Sequence, residues 1–264
     1  MTGSISAPLD DPAGTLLALD FDGTLAHIVD DPTEAFAHAD SVAALGRLGR
    51  ALGAITIITG RPIGQALELG GFADVPGLER LTIHGQYGAE FWDASAGRSG
   101  EADRPVQIER LADRLPDVLE QAGASAARVE DKILAIAVHT RTLSADVTDR
   151  LEQPLRELAE DLGLAVEPGR QVVELRMPSS DKGEALRRAV AEVGARTVVF
   201  AGDDLGDLPA FDAVDDLRRD GLRGLLICSA SEEQDALVAR ADVVLDGPDA
   251  VAAWLTDWAD RLGA

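Results

Sequence analysis

Six short apolar runs recur along the chain, and stretches with helical spacing of apolar residues lie between most of them. The first two, TLLALD and AITIIT, are almost continuously apolar, which is typical of strands buried on both faces of a parallel sheet. Strands that alternate with helices favour a doubly wound sheet with right-handed crossovers. We therefore predict an α/β fold with a doubly wound parallel-sheet core. The predicted strands occupy residues 15–20, 54–59, 81–85, 196–203, 224–229 and 241–246, and the predicted helices between and after them include 40–52, 182–193, 232–240 and 250–262.

The pattern changes in the middle of the chain. Two helical stretches, 106–121 and 145–162, accompany runs in which apolar and polar residues alternate, at 132–141, 164–168 and 171–177. Strict alternation predicts an antiparallel sheet with one covered face and one open face. We therefore expect an α+β cap domain at 103–177, inserted into a core domain formed by 1–102 and 178–264, with residues 1–14 as a mobile leader.

Composition excludes several classes of function. A net charge of −23 argues against nucleic-acid binding, because no basic stripe is present to contact phosphate backbones. No run approaches the ~18 apolar residues of a membrane span, and the N-terminal residues lack a secretory pattern. A single cysteine, Cys228, provides neither a disulfide framework nor a thiolate metal cluster. We expect a cytoplasmic protein without nucleic-acid or membrane partners; the sequence carries no firm signal of oligomeric state, and a monomer is the working expectation.

Polar motifs follow three of the predicted strands. DFDGT (20–24), TGR (59–61) and GDDLGD (202–207) each begin where an apolar run ends, and Lys182 begins the helix before the last of these strands. In open α/β sheets, ligands bind beyond the carboxyl ends of the strands. Each residue taken alone is typical of a turn or a helix cap. Their occurrence together, in chain order at successive strand ends, predicts one site.

These residue types suit phosphoryl transfer from a monoester. Asp20 can accept the phosphoryl group covalently, and Asp22 can protonate the leaving oxygen and later deprotonate water. Thr59 and Lys182 can hold the phosphoryl oxygens. Mg²⁺ prefers oxygen ligands, so we expect it as the cofactor. Its expected ligands or water-positioning groups are Asp20, the backbone carbonyl of Asp22, Asp203, Asp204 and Asp207.

The four motifs resemble those of the haloacid dehalogenase superfamily of phosphatases, and a sheet-bearing insertion between the second and third motifs resembles its larger-cap branch. The resemblance implies Asp20 as nucleophile, Asp22 as acid/base and Mg²⁺ as cofactor.

The alternating cap strand gives a clue to the substrate. Residues 134, 136, 138 and 140 are bulkier and are expected to face the cap helices, whereas Ala135, Ala137, His139 and Arg141 share the other face. Glu174 and Arg176 share a face of the return strand. Carboxylate, imidazole and guanidinium groups on an open face suit a substrate with many hydroxyls, although a solvated face with ion pairs would have the same composition.

A closer resemblance covers about residues 16–211. The segments HGQYGAE (84–90), EDK (130–132), VHTR (138–141), EPGRQVVELRM (167–177) and DKGEAL (181–186) are similar to those of trehalose-6-phosphate phosphatases. This resemblance implies a small-molecule sugar phosphate as the substrate. The candidate substrate-binding residues are Arg61, Glu90, Lys132, His139, Arg141, Arg170 and Glu174.

Other functions stay open. The chain differs from the usual family pattern at Tyr87, Thr140, Met177 and Gly206, so a related phosphatase for another sugar or cyclitol phosphate, such as a glycosyl-phosphoglycerate, is an alternative. A signalling receiver domain would also use a strand-end Asp, a Thr, a Lys and Mg²⁺, but it needs neither Asp22 nor a cap. A non-catalytic sugar-phosphate sensor would be expected to have damaged motifs.

Overall fold

The computed structural model describes residues 10–101, 104–132, 134–169, 171–177, 181–230 and 235–264. The chain divides into two compact units, a core unit of Met1–Gly100 with Asp181–Ala264 and an inserted unit of Glu101–Ser180. The strands are β1 (Thr15–Leu19), β2 (Ala54–Ile58), β3 (Thr82–Gly85), β4 (Glu90–Asp93), β5 (Arg98–Glu101), β6 (Arg128–Asp131), β7 (Ala135–His139), β8 (Ala165–Gly169), β9 (Val172–Arg176), β10 (Thr197–Gly202), β11 (Arg223–Ser229) and β12 (Val243–Leu245). The α-helices are α1 (Ala39–Ala51), α2 (Ile63–Gly70), α3 (Val106–Gln121), α4 (Ala145–Leu162), α5 (Lys182–Val193), α6 (Leu208–Arg219), α7 (Asp235–Val238) and α8 (Gly247–Leu262).

The large sheet has the strand order β12-β11-β10-β1-β2-β3-β4-β5 among the described residues. Pairing is parallel from β12 to β3, and β4 runs antiparallel to β3. Alternate residues of β1 enter different hydrophobic clusters: Leu17 and Leu19 pack on the side of α1 and α8, and Leu16 and Ala18 on the side of α5 and α6. Both faces of β1 are therefore covered, as its apolar run requires. The predicted doubly wound α/β core is confirmed.

The inserted unit contains an antiparallel sheet of order β6-β7-β9-β8. Ile136 and Val138 of β7 and Leu175 of β9 form a buried cluster with apolar residues of α3 and α4. Those helices cover one face of the sheet, which is the face that the bulkier residues of β7 occupy. The helices span the residues expected from their apolar spacing. The exposed edge strand β6, by contrast, has no alternating pattern that would have predicted it.

Some elements differ from the sequence predictions. Five of the six predicted core strands are shorter by one to three residues, and the strand predicted at 224–229 begins one residue earlier, at Arg223. The helix expected at 232–240 is observed as Asp235–Val238, with residues 231–234 outside the described part. The helices α2 and α6 and the strands β4 and β5 were not predicted. Among the described helices, none combines the length and apolarity needed to cross a bilayer.

The segment 10–14 differs from the mobile leader expected at 1–14. Pro12–Gly14 forms a 3₁₀ turn, and the carbonyl of Pro12 accepts a hydrogen bond from the N–H of Gly53. The Asp11 carboxylate accepts from the Arg196 guanidinium at 2.7 and 2.8 Å. These bonds join the segment to the core unit. Residues 1–9 lie outside the described part of the chain.

His84, on β3, is a buried imidazole. Its side chain is 0% exposed and packs against Phe91 at 5.2 Å between ring centroids. Within the described part of the chain, neither ring nitrogen has a hydrogen-bond partner. Burial, together with the positive charge of Arg188, lowers the pKa of His84 to about 4.

This burial predicts a pH dependence of stability. Below pH ~6.5 the unfolded chain binds a proton at this histidine that the folded chain does not, so the free energy of unfolding should fall by about 3 kcal/mol as the pH decreases from ~6.5 to ~4. His84→Leu should remove that part of the decrease. Urea unfolding at several pH values measures it, with the exposed His27→Leu as the matched control. Parallel pH profiles for His84→Leu and the wild type would contradict this account.

Candidate functional site

The predicted strand-end residues lie on adjacent strands. Asp20 follows β1, Thr59 follows β2 and Asp203 follows β10, and β1 pairs with both of the other strands. The strand order runs outward in opposite directions from β1, which makes the end of β1 a topological switch point. The backbone N–H of Asp20 donates to the carbonyl of Ala201 at 2.9 Å, which holds the Asp20 backbone against the end of β10.

Lys182 joins two of the aspartates. Its Nζ lies 2.7 Å from Oδ1 of Asp20 and 2.8 Å from Oδ1 of Asp207, and all three side chains are buried. The preceding residue, Asp181, caps α5 by accepting from the N–H of Glu184, so the start of this helix is fixed locally. The helix start therefore places the ammonium group between Asp20 and Asp207.

Asp207 organises the loop after β10. Its Oδ2 accepts from the backbone N–H groups of Asp203 at 2.8 Å and Asp204 at 3.2 Å, and Asp204 and Asp207 form a capping box. Both Asp207 oxygens thus have protein partners, whereas Asp204 is exposed. This arrangement makes Asp207 a residue that orients the loop and Lys182.

The charges at this site are unbalanced. Burial, and then the charges of Asp207 and Asp203, raise the pKa of Asp20, although Lys182 opposes the effect. Burial and the charges of Asp207 and Asp204 raise the pKa of Asp203 to about 7. Burial disfavours a charged lysine, but the carboxylates of Asp20 and Asp207 outweigh it and raise the pKa of Lys182. One ammonium group does not neutralise three buried carboxylates.

A cation would fit this cluster. Oxygen atoms of Asp20, Asp203 and Asp207 lie within 4.8 Å of one another, so these three residues could hold a metal ion. An all-oxygen donor set with excess negative charge suits a hard divalent cation. Asp203 is 3% exposed, which would keep such an ion largely out of bulk water.

Gly23 allows the loop after β1 to approach Asp203. Its φ is +73°, and a Cβ atom at this position would lie 2.0 Å from Oδ2 of Asp203. Ser229, at the end of β11, donates from Oγ to the Gly23 carbonyl at 2.6 Å. Ser229 was not among the predicted site residues, because a serine at a strand end is too common to be a signal by itself.

Asp22 and Arg61 form an ion pair. Arg61 donates from Nε to Oδ2 of Asp22 at 2.7 Å and from Nη2 to Oδ1 at 2.6 Å. Arg61 was predicted to bind substrate, and in this structure its guanidinium contacts the acid/base candidate. The Thr59 hydroxyl accepts from the N–H of Arg61 at 3.1 Å, so the TGR motif forms a local turn.

Glu90, a candidate sugar contact, has partners within the core unit. Its carboxylate accepts from the N–H of Ile63 at 2.6 Å, at the first residue of α2, and from the side-chain amide of Gln86. A carboxylate at a helix N-terminus is stabilised by the unpaired N–H groups and the helix dipole. The side chain of the N-cap residue, Pro62, accepts no hydrogen bond, and Glu90 instead accepts from the N–H of Ile63.

Four of the five cap candidates lie in the described part of the inserted unit. Nζ of Lys132 is 2.6 Å from Oε2 of Glu174, and Arg141 donates to the Gln171 side chain at 3.1 Å. His139 lies 3.0 Å from Glu130, a residue that we had not selected although it belongs to the EDK segment. Glu130 and Glu174 lie opposite Ala137 on either side of β7, so they share the face that α3 and α4 leave open. Arg170 lies outside the described residues.

Comparisons with known proteins identify the family of this chain. The family model for trehalose-phosphatase matches residues 18–242. The chain is 32% identical over 250 residues to a trehalose-phosphate phosphatase of Mycobacterium avium, covering 92% of this chain and 61% of that protein. It is 37% identical over 210 residues to an uncharacterized glycosyl hydrolase of Mycobacterium tuberculosis, covering 74% of this chain and 15% of that protein. The chain therefore spans less than two thirds of these relatives.

Solved structures show the same fold. A trehalose-6-phosphate phosphatase of Aspergillus fumigatus superposes with a TM-score of 0.72 at 21% identity, covering 94% of this chain and 93% of that one. A haloacid dehalogenase-like hydrolase of Bacteroides thetaiotaomicron superposes with a TM-score of 0.67 at 14% identity, covering 92% and 99% of the two chains. The fold is thus haloacid dehalogenase-like. Since the family model matches most of the sequence, the chain belongs to the trehalose-phosphatase family.

Proposed function

We propose that the chain is a magnesium-dependent phosphatase that hydrolyses trehalose 6-phosphate to trehalose and phosphate. The observation that carries the proposal is the buried Asp20 carboxylate, held by Lys182 at 2.7 Å at the end of β1 and next to the other acidic groups. The substrate is inferred from the family and from relatives such as the trehalose-phosphate phosphatase of Mycobacterium avium.

In the first half of the reaction, Asp20 attacks phosphorus. A bond forms between an Asp20 oxygen and phosphorus, the bond from phosphorus to the sugar oxygen breaks, and that oxygen takes a proton from Asp22. Lys182 and the Thr59 hydroxyl are placed to stabilise charge on the phosphoryl oxygens. Lys182 also pairs with the Asp20 carboxylate, so its ammonium group interacts with both the nucleophile and the phosphoryl group.

In the second half, water cleaves the aspartyl phosphate. Asp22 takes a proton from water, the resulting oxygen bonds to phosphorus, and the bond to Asp20 breaks. Asp20 and Lys182 thereby return to their starting state, and phosphate leaves.

We propose Mg²⁺ as the cation of the acidic cluster. Asp20 and Asp203 would supply carboxylate ligands, and Asp207 would orient the Asp203 loop through the backbone N–H groups that it accepts. A bound divalent cation would neutralise negative charge on the phosphoryl group.

We further propose that the open face of the inserted unit binds the sugar. Lys132 and Glu174 form a half-buried pair on this face, and His139 pairs with Glu130. Charged donors and acceptors that already satisfy one another can exchange partners with sugar hydroxyls at a modest cost in hydrogen bonds. A related sugar or cyclitol phosphate is the alternative substrate.

The activity is tested on a panel of sugar phosphates with Mg²⁺ and with a chelator. We expect trehalose 6-phosphate to give the highest kcat/KM, with loss of turnover in chelator. Asp20→Asn should lower kcat by more than ~10³-fold without unfolding the chain, because it removes the nucleophile at nearly constant volume. The matched control, Asp257→Asn, changes an exposed aspartate of α8 and should behave as the wild type. Equal rates on all sugar phosphates would contradict the substrate assignment.

The metal site is tested by thermal unfolding. A cation at ~100 times its Kd should stabilise the chain by about 2.7 kcal/mol, which corresponds to a rise in Tm of about 5–10 °C. Asp203→Asn should abolish most of this rise because it removes a ligand, whereas Asp257→Asn should retain it. A rise of equal size in Asp203→Asn would exclude the cluster as the site.

The sugar contacts are tested by separating KM from phosphoryl transfer. Lys132→Met and Glu174→Gln should each raise KM for trehalose 6-phosphate by ~10-fold, since a hydrogen bond to a charged group is worth about 1.5 kcal/mol or more. Neither change should alter hydrolysis of 4-nitrophenyl phosphate, which has no sugar. Glu152→Gln on the outer surface of α4 is the control. Equal losses on both substrates would show a general defect instead.

A further inference from the structure

Arg61 is a fixed group within the core unit. Its side chain is 9% exposed, and besides its two bonds to Asp22 it donates from Nη1 to the carbonyl of Pro32 at 2.8 Å. Its guanidinium carbon lies 5.5 Å from the centroid of the Phe21 ring. Three kinds of partner thus hold one guanidinium, whose rigid fork is suited to bidentate contact with a carboxylate.

Asp22 is the more exposed partner of this pair, with 41% of its side chain accessible. Arg61 engages both of its oxygens, so the direction of the carboxylate is set by the arginine. Asp22 is only two residues from Asp20, yet it is not part of the acidic cluster formed by Asp20, Asp203 and Asp207. A fourth carboxylate there would add to the like-charge repulsion among groups that are already buried together.

We propose that Arg61 is a positioning residue for Asp22: it holds the acid/base carboxylate in a fixed direction, away from the acidic cluster, until substrate is bound. This inference rests on the proposed function, because it concerns the acid/base step of that reaction. It assigns Arg61 an effect on catalysis through Asp22, in place of the direct contact with substrate expected from the TGR motif. Both Asp22 oxygens are engaged in this arrangement, so the carboxylate must leave at least one Arg61 N–H to reach a leaving oxygen or a water molecule.

A double-mutant cycle tests the inference with Arg61→Met, Asp22→Asn and the double variant, all with Mg²⁺ and 4-nitrophenyl phosphate. General acid–base catalysis is worth ~10²–10⁴-fold, and Arg61→Met should lose ~10-fold or more of the steady-state kcat. In the Asp22→Asn background the same change should cost less than about threefold, because the group through which Arg61 acts is already absent. KM should fall by about the same factor as kcat, because slower hydrolysis of the aspartyl phosphate with unchanged phosphoryl transfer lowers both and leaves kcat/KM unchanged.

The pre-steady-state burst separates positioning from general damage. Nitrophenolate is a good leaving group that needs little protonation, so Arg61→Met and Asp22→Asn should both retain a burst close to one equivalent while their later turnover is slow. A misfolded active site would lose the burst. Arg47→Met, which changes a partly exposed arginine that pairs with Asp260, is the matched control. If Arg61→Met does not fold, Arg61→Lys is used instead, since it keeps the positive charge but loses the two parallel N–H donors of the guanidinium. It should retain the burst and show a smaller loss of kcat than Arg61→Met.

Independent, additive losses in kcat, or a loss that appears mainly as a raised KM, would overturn the inference and make Arg61 a direct substrate contact. That result would leave the proposed function intact. A wild-type protein that hydrolyses no phosphomonoester would instead overturn the proposed function.

Discussion

The site depends on the buried contact of Lys182 with two aspartates. Without its ammonium group, the nucleophile candidate Asp20 and the loop-orienting Asp207 would be two carboxylates close together and shielded from water, a costly arrangement. The ammonium group fixes the direction of the Asp20 carboxylate and, through Asp207, holds the loop after β10 in place. Removal of one partner from such a buried cluster typically costs several kcal/mol, which links the stability of the site to its chemistry.

The fold brings these groups together through strand order. Because β1 pairs with β10 on one side and β2 on the other, the residues after all three strands meet at one edge of the sheet. Close approach then depends on Gly23, where a side chain would overlap Asp203, and on Ser229, which holds the Gly23 carbonyl. Backbone conformation and one hydroxyl therefore determine how near the loop after β1 comes to the acidic cluster.

The sequence predicted the parts of the site that are encoded by local pattern. The apolar runs predicted the central strands, and the polar residues that follow them, Asp20, Thr59 and Asp203, were predicted to form one site. Contacts that join residues far apart in the chain were not predictable in this way. The motif around Arg61 does not reveal its pairing with Asp22, and the helix cap formed by Glu90 depends on the unpredicted strand β4, which begins at Glu90 and pairs antiparallel with β3. Glu130 was missed for a similar reason, since the short, exposed strand β6 has no hydrophobic pattern.

In the proposed reaction, Asp20 carries the phosphoryl group during turnover. The most direct measurement is mass spectrometry of Asp22→Asn after acid quench from 4-nitrophenyl phosphate and Mg²⁺, since loss of the base should slow hydrolysis of the intermediate. We expect one phosphoryl group on the peptide that contains Asp20, and none when Asp20→Asn is added to the same variant. A phosphoryl group on another residue, or turnover without any phosphorylated protein, would contradict it.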